Sequence, residues 1–152
     1  AVGVVWDSLD REFFTYEEKD ARQLADKLRT ADLVVGFNVI GFDYTVLQPY
    51  SDFDLQEINT FDMLVDVKKR LGFRLSLNHL AQHTLNAKKS ADGLISLQWY
   101  KEGKISKIIQ YCKQDVEITR DLYLFGEKNG LVKYQSRSGN PLQLEVNWKT
   151  AL

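Results

Sequence analysis

The hydrophobic residues at the start of the chain fall into two short runs joined by a polar turn. Val2–Trp6 and Glu12–Tyr16 are rich in Val, Phe, Thr and Tyr, so we predict an antiparallel hairpin. In residues 17–32 the hydrophobic period changes to that of a helix, with charged residues on the opposite face. The hydrophobic face of this helix consists of Ala21, Leu24, Ala25 and Leu28.

The run "DLVVGFN", residues 32–38, has successive hydrophobic residues without alternation. Such a run is typical of a strand that a parallel sheet buries on both faces. A strand, a helix and a second strand in this order predict an α/β fold, in which helices flank a sheet.

The next hundred residues are predicted to be mainly helical. Ser76 and Ser90 are the expected N-caps of two helices, and a glycine follows the end of three of them. The predicted ranges are 42–50 (closed by Pro49), 58–72, 76–85, 90–103 and 104–130.

Residues 131–148 return to short β-type runs, which predict a C-terminal hairpin that turns at Ser138–Pro141. The chain has no internal repeat, low-complexity segment or linker, and 152 residues is the size of one domain. We therefore predict a single domain over residues 1–152.

Composition and charge narrow the classes of function. The net charge is −1, so no overall positive field would attract nucleic acid, and local Lys or Arg side chains or metal ions would have to hold an anionic partner. The one cysteine, Cys112, cannot form an intrachain disulfide and fits the reducing cytoplasm. No hydrophobic run approaches the roughly 18 residues of a membrane span, so we expect no membrane partner.

Two polar patterns could carry chemistry. Tyr111 and Asp115 are four residues apart in the longest helix, so they project from one face about one turn apart. A phenol and a carboxylate placed in this way can hold a metal ion and its water, although the same spacing also occurs by chance. Asp43 follows the buried strand, where the ligand sites of parallel sheets lie; an ordinary strand-to-helix turn is the alternative.

These two patterns resemble motifs of a known family. "NVIGFD", residues 38–43, is similar to the second motif of the DEDD 3′–5′ exonucleases, and "YCKQD", residues 111–115, is similar to the third. The tyrosine marks the DEDDy subgroup, which includes the proofreading domains of family B DNA polymerases and stand-alone ribonuclease H-like proteins. The resemblance extends from Ala1 to about Gly130 and implies a ribonuclease H-like mixed sheet flanked by helices, with a C-terminal β-hairpin.

The resemblance implies hydrolysis of phosphodiester bonds with two Mg²⁺ or Mn²⁺ ions, because hard cations prefer carboxylate and water ligands. Asp115 would bind the ion that activates water, Tyr111 would orient that water, and Asp43 would bind the second ion. Asn38 and Phe42 would line the groove for the 3′ end of single-stranded DNA or RNA.

Other polar residues are weaker candidates. His79 and His83 are expected on a helix surface rather than as metal ligands, and Asp62 is expected to cap a helix. Lys88 and Lys89 could bind phosphates, whereas 68–70 is more typical of a solvated helix end. The tryptophans are expected to pack in the core; they are Trp6, Trp99 and Trp148.

The chain departs from the family at its first motif, Asp-x-Glu, which lies on a central strand before the hairpin. Asp10 and Glu12 match the letters, but Asp10 is expected in the hairpin turn, with no hydrophobic strand leading into it, so we do not expect this pair at the catalytic site. The central strand would then come from residues upstream of Ala1 or, less readily, by exchange with another copy of the chain. With two of four carboxylates, we expect residues 1–152 alone to lack nuclease activity.

Two functions of different classes follow. The first is a metal-dependent 3′–5′ exonuclease, and the second is an inactive nucleic-acid-binding or scaffolding module with the same fold. A domain that binds small nucleotides is disfavoured because the chain has no Gly-rich phosphate loop.

Overall fold

The computed structural model describes residues 2–87 and 93–151, and its first element is the predicted hairpin. Strands β1 (Val2–Asp7) and β2 (Glu12–Glu17) pair antiparallel, with Val2 opposite Glu17 and Asp7 opposite Glu12. The Asp7 carboxylate stabilises the turn by accepting a hydrogen bond from the backbone N–H of Leu9 at 2.8 Å. The predicted antiparallel hairpin is therefore confirmed.

Helix α1 (Ala21–Thr30) leads into the only parallel strand pair among the described residues. Strand β3 (Val34–Gly36) pairs in parallel with β4 (Thr60–Asp62), and Gly36 lies opposite Asp62. The sequence predicted β3 but read β4 as the start of a helix. Val34 and Val35 are half-buried, so the prediction that this strand is buried on both faces is wrong.

The connection between β3 and β4 begins as a wide helical turn, 39–43, and continues as the short helix α2 (Tyr44–Leu47). The remaining helices are α3 (Met63–Leu71), α4 (Leu77–Leu85), α5 (Gly93–Lys101) and α6 (Ile105–Asn129).

The predicted caps of three helix ends are present. The Ser76 hydroxyl accepts a hydrogen bond from the backbone N–H of His79 at 3.1 Å. Gly72 and Gly130 have φ values of 82° and 70°, in the left-handed region that glycine adopts without steric cost. The predicted cap at Ser90 lies outside the described residues.

The C-terminal hairpin consists of β5 (Leu131–Gln135) and β6 (Pro141–Glu145), which pair antiparallel as predicted. Its base is anchored by Trp148, which is 1% exposed and lies so close to Gly126 of α6 that any side chain there would collide with the indole. The main core surrounds this tryptophan and includes Met63, Val67, Leu80, Leu122, Tyr123, Val132 and Val146.

The described residues thus form a mixed α/β fold with a C-terminal antiparallel hairpin, which confirms the predicted fold class. A second hydrophobic cluster packs α1 against α2 and contains Ala25, Tyr44 and Leu55. The six strands form three separate two-stranded ladders, so their order in one sheet stays a prediction, as does the single-domain boundary.

Candidate functional site

The candidate site lies where the parallel strands β3 and β4 end. Asp62, the last residue of β4, is 4% exposed, and its carboxylate accepts three backbone hydrogen bonds. They come from Leu64 at 3.0 Å, which caps α3 as predicted, and from Asn38 and Ile40 at 2.8 and 3.1 Å. One buried carboxylate therefore fixes both chain segments that leave these strands. Its role as the cap of α3 was predicted, whereas its hydrogen bonds with the backbone of Asn38 and Ile40 were not.

The turn that carries Asp43 has an unusual backbone. Asn38 adopts φ 61°, and its carbonyl accepts a hydrogen bond from the N–H of Phe42 at 3.2 Å. A Cβ at Gly41 would lie 3.0 Å from Oδ1 of Asn38, so a small residue is favoured there. Wide turns of this kind are frequent at functional sites.

Asp43 ends this turn and is exposed to solvent. The protein around its carboxyl nevertheless removes enough water to raise the pKa of Asp43 to about 6. Repulsion from the Asp62 carboxylate raises the pKa further, whereas the backbone N–H of Asp43 itself opposes the shift. A carboxyl with a pKa near neutrality is typical of a functional site, although structural clusters also produce one.

Tyr111 and Asp115 lie on helix α6, and both are half-buried. The Tyr111 ring meets Trp99 of α5 edge to face, with 6.4 Å between the ring centroids. The Oδ1 atom of Asp115 is shut off from solvent, and the backbone carbonyl of Asp115 accepts a hydrogen bond from Thr119 at 2.7 Å.

The pKa of the Cys112 thiol is raised by burial and by carboxylates from both candidate motifs, the turn that ends at Asp43 and helix α6. Burial has the largest effect, and the carboxylates of Asp115 and Asp43 raise the pKa further. The same thiol therefore responds to a carboxylate from each of the two motifs. The roles predicted for Asp43, Tyr111 and Asp115 stay predictions.

The residues predicted to contact nucleic acid differ in their exposure. Asn38 is half-buried, whereas Phe42 is 61% exposed beside Asp43. Val46 and Tyr50, four and eight residues further on, are also exposed. The remaining two candidates, Lys88 and Lys89, lie outside the described residues.

The predicted pair of divalent ions would need several carboxylate ligands close together. Within residues 2–87 and 93–151, no group of three or more His, Cys, Asp or Glu side chains is placed to hold a metal ion. Asp43 and Asp115 have the right chemistry, but two carboxylates do not complete a two-ion centre. The described residues therefore do not fit the predicted pair of ions.

The two histidines lie on α4 and are half-buried. The Nε2 atom of His79 accepts a hydrogen bond from the N–H of Gln135 at 3.1 Å, and its ring lies 4.5 Å from that of His83. Asp10 is exposed in the β1–β2 turn, where it donates its backbone N–H to the Asp7 carboxylate at 3.3 Å, and Glu12, the first residue of β2, is also exposed.

Comparison with known proteins gave one match. The model of the RNase_H superfamily matches residues 2–125, which include both resembling motifs and end within α6. Searches of curated proteins and of solved structures gave no match. Among the helices of the described residues, none has the length and hydrophobicity that crossing a membrane requires.

Proposed function

Because the chain belongs to the RNase H superfamily, we propose that it is a nuclease domain of the 3′–5′ exonuclease type, acting on the 3′ end of single-stranded DNA or RNA. The DEDDy subgroup, the polarity of digestion and a cytoplasmic location are all part of this proposal. Asp43, Tyr111 and Asp115 would form its reaction centre.

The observation that carries the proposal is the family match over residues 2–125, which contains Asp43, Tyr111 and Asp115. Asp43 follows a parallel strand and Asp115 lies on α6 more than seventy residues later, and, besides burial, both carboxylates raise the pKa of the Cys112 thiol, which supports one common site. A phenol one helical turn from Asp115 adds a hydroxyl that can hydrogen-bond to a phosphate oxygen or to an attacking water.

Nucleases of this superfamily typically use divalent metals, and we expect Mg²⁺ or Mn²⁺ to support activity. Asp43 and Asp115 would contribute carboxylate oxygens, which these hard cations prefer. The described residues supply two of the carboxylates that a two-ion centre needs.

The test is digestion of a single-stranded oligonucleotide, labelled at its 5′ end, by the natural full-length protein that contains residues 1–152, followed by separation of the products by length. An exonuclease of this polarity gives a ladder that shortens from the 3′ end, needs Mg²⁺ or Mn²⁺, and disappears in Asp115→Asn. An oligonucleotide blocked by a 3′ phosphorothioate should resist. Release of the label as a mononucleotide would show the opposite polarity and contradict the proposal.

A second function has one observation in its favour. Because the described residues hold no group of three metal-ligating side chains, the domain could instead be a module that binds nucleic acid without cleaving it. The decisive assay uses a labelled oligonucleotide at a concentration below that of the protein, with Mg²⁺ or with Mn²⁺. Binding without shortening under both conditions would support this module and exclude the exonuclease.

A further inference from the structure

A cavity of about 580 Å³ opens between the end of helix α5 and the first half of α6. Trp99 forms part of its wall, and Tyr111, Lys107 and Lys113 line it from α6. Its volume lies within the roughly 300–1,000 Å³ of sites that take small molecules and cofactors. The cavity shares Tyr111 with the candidate reaction centre and therefore lies one helical turn from Asp115.

The lining of this cavity combines cationic and aromatic groups. The Nζ atom of Lys107 lies 6.0 Å from the centroid of Trp99, and that of Lys113 lies 5.7 Å from the centroid of Phe13 on β2. The lining contains two lysines and one carboxylate, that of Glu117. Its net charge is therefore positive, in a chain whose net charge is −1.

The ammonium groups of these lysines are available to an anion. Among the described residues neither Lys107 nor Lys113 forms an ion pair within 4.0 Å. Glu102, whose carboxylate interacts electrostatically with Lys107, forms its own ion pair with Lys104 at 2.6 Å. Exposed ion pairs such as that between Glu102 and Lys104 contribute little to the free energy of folding.

We propose that this cavity is a subsite for one nucleotide of a single-stranded nucleic acid, with its base on Trp99 and its phosphates at Lys107 and Lys113. Aromatic rings bind bases of any sequence by stacking, and lysines bind the backbone by charge, which together are the usual means of holding single strands. The inference rests on the proposed function and extends it, because a strand bound here passes Tyr111 before it reaches Asp115.

The experiment measures fluorescence anisotropy of a labelled 12-nucleotide single strand in EDTA, so that binding is separated from cleavage. Lys107→Ala should weaken binding about fivefold at low salt and reduce the slope of log affinity against log salt by about 0.7, the value for one phosphate contact on a single strand. Trp99→Leu should weaken binding about tenfold, and Trp99→Phe should restore most of it.

The matched control is Lys133→Ala. Lys133 also lies with its Nζ 6.0 Å from an aromatic centroid, that of Phe125, but it does not line the cavity. Its removal deletes the same charge from the same kind of contact, so affinity should change less than twofold. Thermal unfolding of each variant checks that the fold is intact, and Lys107→Glu provides a second variant of the same position.

Equal affinity of wild type, Lys107→Glu, Trp99→Leu and Trp99→Phe would overturn the subsite and leave the proposed function standing. Competition by polyglutamate as effective as that by unlabelled oligonucleotide would also overturn it, because the cavity would then bind acidic protein segments. Conversely, metal-independent binding at this cavity together with absent cleavage would support the subsite while the exonuclease proposal fails.

Discussion

The carboxylate of Asp62 accepts a hydrogen bond from the backbone N–H of Asn38, 24 residues earlier, at 2.8 Å. Because Gly36 and Asp62 are opposite residues of a parallel pair, the chains leave β3 and β4 side by side. A buried charge with three N–H donors is well satisfied, whereas those donors would be orphaned without it. The position of Asp43 thus depends on a residue that is not itself proposed to react.

Asp62→Ala should lower the free energy of unfolding by about 2–4 kcal/mol, the loss of a helix cap combined with two further charge-assisted hydrogen bonds. Urea denaturation followed by circular dichroism gives the value. Asp54→Ala is the control, since Asp54 is an exposed cap that accepts one hydrogen bond, from Gln56 at 2.9 Å, and should cost less than about 1 kcal/mol. Similar losses in the two variants would contradict this role of Asp62.

The raised pKa of Asp43 makes its ionisation unfavourable in the folded state. The carboxyl holds its proton up to about pH 6 when folded but loses it near pH 4 when unfolded, so its contribution to stability is present below pH 4 and lost as pH rises through 6. Asp43→Asn should therefore gain stability relative to wild type between pH 4 and pH 7, measured in EDTA by thermal unfolding. Titration of the Asp43 carboxyl by NMR should show its midpoint near 6. A midpoint near 4, with a pH-independent difference between the two proteins, would refute the shift.

How far the sequence predicted this fold depends on whether each element is locally determined. The caps at Ser76, Gly72 and Gly130 were predicted because a cap depends on residues within one helical turn. Strand β4 was missed because Phe61, Met63 and Leu64 also fit a helical period, and only pairing with β3, more than twenty residues earlier, makes Thr60–Asp62 extended.

The residues of the candidate site also fall into those that local sequence identifies and those that depend on tertiary structure. Asp43, Tyr111 and Asp115 were identified from two local motifs, whereas the hydrogen bonds of Asp62 to Asn38 and Ile40 follow from the register of β3 and β4, which the sequence does not reveal. Trp99 was predicted to be a core residue. Its half-exposed position beside Tyr111 depends on how α5 packs on α6, and no period in the sequence specifies that.

Tyr111→Phe separates the chemical role of Tyr111 from its packing. The phenylalanine ring keeps the edge-to-face contact with Trp99 but loses the hydroxyl, so oligonucleotide affinity should stay within twofold while the cleavage rate falls about 100-fold, the usual cost of a lost donor at a reaction centre. Tyr123→Phe is the control. The Tyr123 hydroxyl donates to the carbonyl of Trp148 at 3.5 Å in the core, so its loss should change stability slightly and leave the cleavage rate unchanged. An unchanged rate in Tyr111→Phe would remove this residue from the mechanism.

The described residues predict weak binding of divalent ions. Asp43 and Asp115 offer two carboxylates, and Mg²⁺ held by one or two carboxylates usually keeps several waters and needs substrate phosphates for tight binding. Without nucleic acid, Mn²⁺ should therefore bind with a dissociation constant of about 1 mM or weaker, measured by electron paramagnetic resonance of the free ion. Asp115→Asn should abolish this binding, because an amide is a far weaker ligand for a hard cation. The double variant Asp10→Asn, Glu12→Gln should leave it unchanged, since both residues are exposed, Asp10 in the β1–β2 turn and Glu12 at the start of β2. Loss of Mn²⁺ binding in the double variant would show that these two residues are ligands after all. Micromolar binding of two ions would show that further carboxylates complete the site.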